Sequence, residues 1–382
     1  IDRCHRVLKK GGTPIDRTDA RWKHIFTPVP EESGDWDNWE TAASEFLREV
    51  RHQAGGDIDY VVSHAGERAF SRSFQLLGDN GILTFFGAST GYRFSFMGKS
   101  GFCSPKDIFA QAGLRSSQNL LVVYGPGAQD GIVDHLAIEA LEAGCMIGCQ
   151  VAVLSDTNAQ RDFVTSLGFG SRLRGGVSIE EIERQLGDDF APPGPLDWLP
   201  DPFKDHKRFK AAIRAFSDRT LKPLGAAIGD IFSNALDKRG LPDVVFERRG
   251  RDGLSFSCAL VKPNVGKVVY AEDLQGMRLS FYAPHVWMRQ RRIIMPSAEI
   301  RGTHLNTSKE YAEVQERIGT GQIEITPPTK IDFHEIPDAH QAMWENRQKG
   351  SNYVAMHALP FRGLRTRDEL YRAWAVRDAK EH

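Results

Sequence analysis

Residues 59–86 read DYVVSHAGERAFSRSFQLLGDNGILTFF, and residues 243–270 read DVVFERRGRDGLSFSCALVKPNVGKVVY. Both run from an apolar strand through a polar turn with glycine into an amphipathic helix, then through a second turn to another apolar strand. Gly66 matches Gly250, Ser73 matches Ser257 and Leu76 matches Leu260. Gly81 matches Gly266 after a one-residue shift. This is the late βαβ of a dinucleotide-binding sheet, written twice. The copies differ where chemistry would sit: His64 in the first, Arg248 in the second.

Working outward, strands alternate with helices, which predicts mainly parallel sheets covered on both faces. The expected fold class is α/β, with tandem Rossmann-like, doubly wound parallel sheets and a first copy incomplete at its N-terminus. Residues 1–102 read as the C-terminal part of the first unit. Residues 103–270 read as a second unit, inserted into it. Residues 271–360 read as a return to the first body, and residues 361–382 as a charged helical tail. Ile1 and the stretch after it read as the middle of an α/β unit, so the expectation is one part of a longer polypeptide. Residues 93–118 read as a connector and residues 285–293 as helical.

Bulk properties narrow the function classes. The chain has 382 residues, enough for two or more cores. Lys plus Arg is 49 and Asp plus Glu is 50, so no overall basic field calls for nucleic acid. No run approaches the roughly 18 apolar residues of a membrane span, and no signal-peptide pattern opens the chain. Five cysteines without framework spacing suit a reducing cytoplasm. Cys145 and Cys149 lie about one helical turn apart, which fits buried thiols better than a metal pair. No zinc motif, nucleophile elbow or Walker loop is present.

Three loops are candidates for chemistry. Ser63-His64-Ala65-Gly66 ends a strand, and loops at strand C-termini line the ligand crevice of doubly wound sheets. A histidine there can hold a water or shuttle a proton; a structural histidine is the alternative. Gly87-Ala88-Ser89-Thr90-Gly91-Tyr92 follows the next strand. Its small residues let a flat nicotinamide ring approach the backbone, with Ser89 or Thr90 beside the carboxamide; a plain turn is the alternative. Gly125-Pro126-Gly127-Ala128-Gln129-Asp130-Gly131 opens a helix after a strand, the context of a dinucleotide fingerprint. Asp130 there is unfavourable to phosphate, and Asp156, ending the next strand, would suit a ribose hydroxyl and disfavour a 2′-phosphate. A degenerate unit kept for structure is the alternative. The basic clusters at residues 248–251 and 289–292 read as phosphate sites or as salt-bridged surface.

The segments His64-Ala65-Gly66-Glu67-Arg68, Gly81 and Ala88-Ser89-Thr90-Gly91-Tyr92 resemble medium-chain dehydrogenases/reductases, most closely the crotonyl-CoA carboxylase/reductase branch. So do the stretch from Trp287-Met288-Arg289 to Gly302-Thr303-His304, and residues 336–342 followed by Gly350 and residues 353–357. The resemblance covers most of residues 1–102 and 271–360. With the second unit and the opening inside an α/β motif, it points to the C-terminal reductase module of trifunctional propionyl-CoA synthases. It implies an NADPH-dependent enoyl-CoA reductase, with acrylyl-CoA as substrate. Hydride goes to the β-carbon and a proton to the α-carbon. It makes His64 the catalytic candidate and Gly66, Gly87, Ala88, Ser89, Thr90 and Tyr92 the cofactor contacts, with no metal. The implied partners are an acyl-CoA thioester, upstream domains of the same polypeptide and further copies in a homo-oligomer. A non-catalytic Rossmann scaffold is the alternative from another class.

Overall fold

The computed structural model describes residues 12–15, 19–88, 90–125, 131–233, 240–304, 308–323, 329–332, 335–344, 347 and 352–354. The chain divides into two units, Ile1–His304 and Leu305–His382.

The larger unit opens with helices α1 (Trp36–Ala42) and α2 (Ser44–Ala54). Strand β1 (Ile58–Ser63), helix α3 (Glu67–Gln75) and strand β2 (Leu77–Phe85) form the first copy of the repeat, and β3 (Arg93–Met97) follows. Next come α4 (Pro105–Ala112), β4 (Asn119–Val123), α5 (His135–Ile147), β5 (Gln150–Ser155), α6 (Asn158–Ser166), β6 (Leu173–Ser178) and α7 (Ile179–Leu186). Helices α8 (His206–Phe216) and α9 (Lys222–Phe232) precede the second copy of the repeat. That copy comprises β7 (Val244–Glu247), α10 (Leu254–Leu260) and β8 (Lys267–Val269). Strand β9 (Arg278–Tyr282), helix α11 (Ala283–Trp287) and the hairpin β10 (Arg292–Met295) and β11 (Ala298–Gly302) complete the unit. The smaller unit contains α12 (Ser308–Gly319). Its strands β12 (Thr329–Ile331) and β13 (Asn352–Val354) pair in parallel, with α13 (Ile336–Trp344) between them in sequence.

Nine strands form one sheet in the order β1-β2-β11-β10-β8-β7-β4-β5-β6. Every pairing is parallel except that of β10 with β11. From β6 to β10 the order is that of a full doubly wound nucleotide fold, 3-2-1-4-5-6. From β1 to β11 it is the 4-5-6 half of another. By strand order the second unit runs on through Met295, and the chain rejoins the first at Ala298.

The two copies meet with matching registers. Through their pairing with β2 and β8, Ile300 and Ile293 are equivalent, and they face each other across β11 and β10. Strand β3 reads Arg93-Phe94-Ser95-Phe96-Met97 and β9 reads Arg278-Leu279-Ser280-Phe281-Tyr282. They pair antiparallel with Ser95 opposite Ser280, Arg93 opposite Tyr282 and Met97 opposite Arg278. The repeat therefore extends a strand beyond its glycine signature. Residues 93–97 read as part of a connector because an alternation of five residues is short beside the helices around it. Residues 285–293 differ likewise: the helix stops at Trp287, and Arg292-Ile293-Ile294-Met295 is a central strand.

Alternation along the strands divides the core between the two sheet faces. Leu83, Phe85, Leu121, Val123, Val245, Val268, Ile293 and Ile300 belong to one apolar cluster that spans both copies. Leu120, Val122, Val244, Phe246, Val269 and Ile294 belong to a second cluster, covered by Ile108 and Phe109 of α4 and Ala137, Ala140 and Leu141 of α5. The first copy has no such cover among the described residues. Tyr60 and Val62 on edge strand β1 are 72% and 71% exposed.

Candidate functional site

His64 stands exposed just past the C-terminal end of β1. Its ring lies 4.9 Å from that of Phe86, tilted by 35°. Gly87 has φ +65, and a Cβ on it would lie 3.3 Å from His64 Nε2. Glycine thus relieves the backbone and leaves a bare edge beside the imidazole. Gly66, at φ 81, turns the chain into α3. The Thr90 hydroxyl donates to the Ala65 carbonyl at 2.9 Å and accepts from Arg68 N at 3.1 Å, so it ties the loop after β2 to the start of α3. Ala88 packs against the main core. Ser89 lies outside the described residues. Tyr92 is half-buried, with its ring 5.8 Å from Phe209, 6.0 Å from Trp287, 6.2 Å from Tyr282 and 6.3 Å from Phe203. The fold therefore brings His64, Gly66, Gly87 and Thr90 together at the C-terminal ends of neighbouring strands β1 and β2, while Tyr92 turns toward the inserted unit.

Residues missed by sequence reasoning support this loop. Glu67 accepts from Arg93 N at 3.1 Å, and burial raises its carboxyl above the usual range although Arg93 opposes this. The Arg93 side chain donates to the Asp197 carbonyl at 2.7 Å. The Asp197 carboxylate is bound by Arg278 and Arg251, which hold it low against the desolvation that would raise it. Arg93 and Arg278 are equivalent in the two copies, so the matched strands β3 and β9 were the available signal.

Among the described residues, the equivalent strand ends of the second copy carry an ion cluster of the chain's own side chains. Asp134 caps α5, accepting from Ala137 N at 3.2 Å and from Gly125 N at 3.1 Å. Arg248, in the place of His64, donates through Nε to Asp134 at 3.0 Å and pairs with Glu272. Arg249 pairs with Asp156 at 3.3 Å, so the acid at the end of β5 is already engaged. Residues 126–130 of the glycine-rich loop lie outside the described residues. Glu247, in the place of Ser63, accepts from Ser257 and from Arg249 N; the equivalent contact in the first copy joins Ser73 to Ser63 at 3.4 Å. Cys149 is buried, its thiol donating to the Arg115 carbonyl at 3.3 Å and pushed up to about 11 by desolvation. Among the described residues no cluster of His, Cys, Asp and Glu could hold a metal, and no helix is long and apolar enough to cross a membrane.

No protein-family model matches the chain. It is 28% identical over 254 residues to a crotonyl-CoA carboxylase/reductase from Cereibacter sphaeroides. That match covers 66% of this chain and 49% of the relative, so the chain spans about half the relative's length. Among solved structures, a crotonyl-CoA carboxylase/reductase overlaps 71% of this chain and 54% of its own, at 21% identity and a TM-score of 0.35. The 2-octenoyl-CoA carboxylase reductase CinF, in complex with NADP and 2-octenoyl-CoA, overlaps 72% and 52%, at 18% identity and a TM-score of 0.32. Over about two thirds of its length, then, the chain is similar in sequence to a crotonyl-CoA carboxylase/reductase.

Proposed function

We propose that the first nucleotide fold is the cofactor-binding part of an NADPH-dependent enoyl-CoA reductase. The observation that carries this is the contrast between the two crevices. His64 stands beside a bare glycine backbone in one, and an ion cluster fills the other. The sequence similarity to a crotonyl-CoA carboxylase/reductase supports the same reading, and a similar carboxylase reductase is described in complex with NADP.

The residues of the first crevice fit a nicotinamide. Gly87 leaves out a Cβ that would lie 3.3 Å from His64 Nε2, the small Ala88 and Thr90 flank it, and Tyr92 stands at the far end of the loop; the cofactor contacts of this reading are Gly66, Gly87, Ala88, Ser89, Thr90 and Tyr92. NADPH, when bound, supplies the hydride that the enoyl thioester takes at its β-carbon. His64 holds a water at an imidazole nitrogen, and a proton passes from there to the α-carbon. Thr90 and Glu67 keep the loop against α3 so that this geometry persists.

At finer grain, the substrate is acrylyl-CoA and the product propionyl-CoA, as in the reductase module of a propionyl-CoA synthase. A nucleotide-binding half from elsewhere in the same polypeptide covers Tyr60 and Val62 and pairs with β1, the edge strand among the described residues, as α4, α5 and β4 do for the second copy.

The test is NADPH oxidation by the full-length polypeptide with acrylyl-CoA and crotonyl-CoA. His64→Ala is expected to lower kcat by about 10²–10⁴-fold while leaving NADPH affinity near that of the parent. An unchanged rate removes His64 from the mechanism, and no oxidation with any enoyl-CoA rejects the activity.

A further inference from the structure

The second nucleotide fold has the strand order of a cofactor domain, and among the described residues its strand ends carry an ion cluster. At the N-terminus of the thirteen-residue helix α5, where a pyrophosphate would take free N–H groups, the Asp134 carboxylate already accepts from Ala137 N and Gly125 N. Asp134 is 4% exposed. Its backbone N–H donates to Tyr124 Oη at 2.8 Å, so the cap is fixed from both sides. Arg248 bridges Asp134 to Glu272, and Arg249 engages Asp156. A phosphate arriving there would meet a buried carboxylate. It would also have to separate Arg248, which is partly exposed, from the buried Asp134 and leave that carboxylate uncompensated.

The same fold meets the first as one subunit meets another. In a two-fold dimer the interface is isologous: residue i faces j, and j faces i. Here Ser95 faces its equivalent Ser280, with Arg93 opposite Tyr282 and Met97 opposite Arg278. Ile293 faces its equivalent Ile300 in the same way. Phe281 packs against Phe70, Phe85, Phe94 and Phe96 of the first copy, at ring separations from 5.6 to 6.3 Å. Asp197 adds a charged tie, accepting from Arg93 through its carbonyl and from Arg278 through its carboxylate.

We propose that the inserted second nucleotide fold is a cofactor-free internal partner. Through β3/β9 and β10/β11 it takes the place a second subunit would occupy against the first fold, and its own crevice is closed by the Asp134–Arg248–Glu272 cluster. The first fold then has its partner within the same chain, and Asp197 and the ring cluster around Tyr92 brace the loop after β2 from the partner's side. This goes beyond the assignment of an activity to the first crevice and does not depend on it.

Two measurements on the full-length polypeptide test this. Ser95→Cys/Ser280→Cys, oxidised and run without reductant, is expected to give a cross-linked single chain. A disulfide-linked dimer would show that the pairing is between chains and overturn the proposal. Calorimetric titration with NADPH and NADP+ is expected to reach no more than one nucleotide per chain, with Arg248→Met leaving both stoichiometry and Kd within twofold. Two nucleotides per chain, or a tenfold change of Kd in Arg248→Met, would overturn it. A stoichiometry of zero sustains the closed second crevice and rejects the reductase assignment of the first, so the two ideas fail separately.

Discussion

Glu247 ends β7 with none of its side chain exposed, and burial pushes its carboxyl up to about 7. Hydrogen bonds from Ser257 and Arg249 N, with the charge of Arg249, oppose that shift without cancelling it. A carboxyl raised in the folded state contributes stability that is complete below its unfolded value of about 4.5 and is lost as the pH climbs through about 7. Glutamine can accept from Arg249 N and donate to Ser257, so Glu247→Gln should be more stable than the parent at pH 8. The advantage should shrink toward pH 5, read as urea midpoints at the two pH values; an equal difference at both would contradict the assignment. Arg72 makes the opposite case. It is 1% exposed, donates to the carbonyls of Ile25 and Trp39 and to Gln75, and lies 3.6 Å from the Trp39 ring centroid. Arg72→Ala orphans these acceptors, at about 1–3 kcal/mol for each buried one, and should lower the denaturation midpoint of the whole larger unit.

At the scale of elements, the two copies meet through strands that leave no room for side chains at their ends. Gly98 follows β3, and a Cβ there would lie 2.2 Å from the Leu274 carbonyl oxygen. Its N–H donates to the Met277 carbonyl at 2.8 Å, so the contact is backbone on backbone and cannot relax by a rotamer change. Gly98→Ala should cost about 1–3 kcal/mol, whereas Gly34→Ala, in open space, should stay within about 0.5 kcal/mol. Comparing the two by chemical denaturation separates crowding from glycine loss in general. The β3–β9 pairing also explains what sequence reading left out. Its five-residue strands carry the same Arg-x-Ser-Phe pattern at the same positions, but each is too short to signal a strand before its partner is known.

At the scale of the molecule, one apolar cluster runs beneath both copies, from Phe70 and Phe85 through Ile300 and Ile293 to Leu121 and Val123. The larger unit should therefore unfold cooperatively rather than fold by fold. Leu121→Ala, at a fully buried site of the second copy, should cost about 2–5 kcal/mol. It should lower by the same amount the protection of β1 and β2 amides in hydrogen exchange. Protection confined to the second copy would show the halves to be independent.

The repeat of residues 59–86 in 243–270 was enough to determine an α/β chain with two nucleotide folds, and the glycines and His64 located one strand-end crevice, because period, turn chemistry and strand-end position are local properties. Local pattern could not say that β10 and β11 would join the two folds into nine strands. Nor could it show that Arg93 and Arg278 would meet at Asp197, or that Arg248 would be spent on Asp134 and Glu272. Those partners are separated by up to 185 positions in sequence, and only the folded sheet brings their charges and hydrogen bonds within reach.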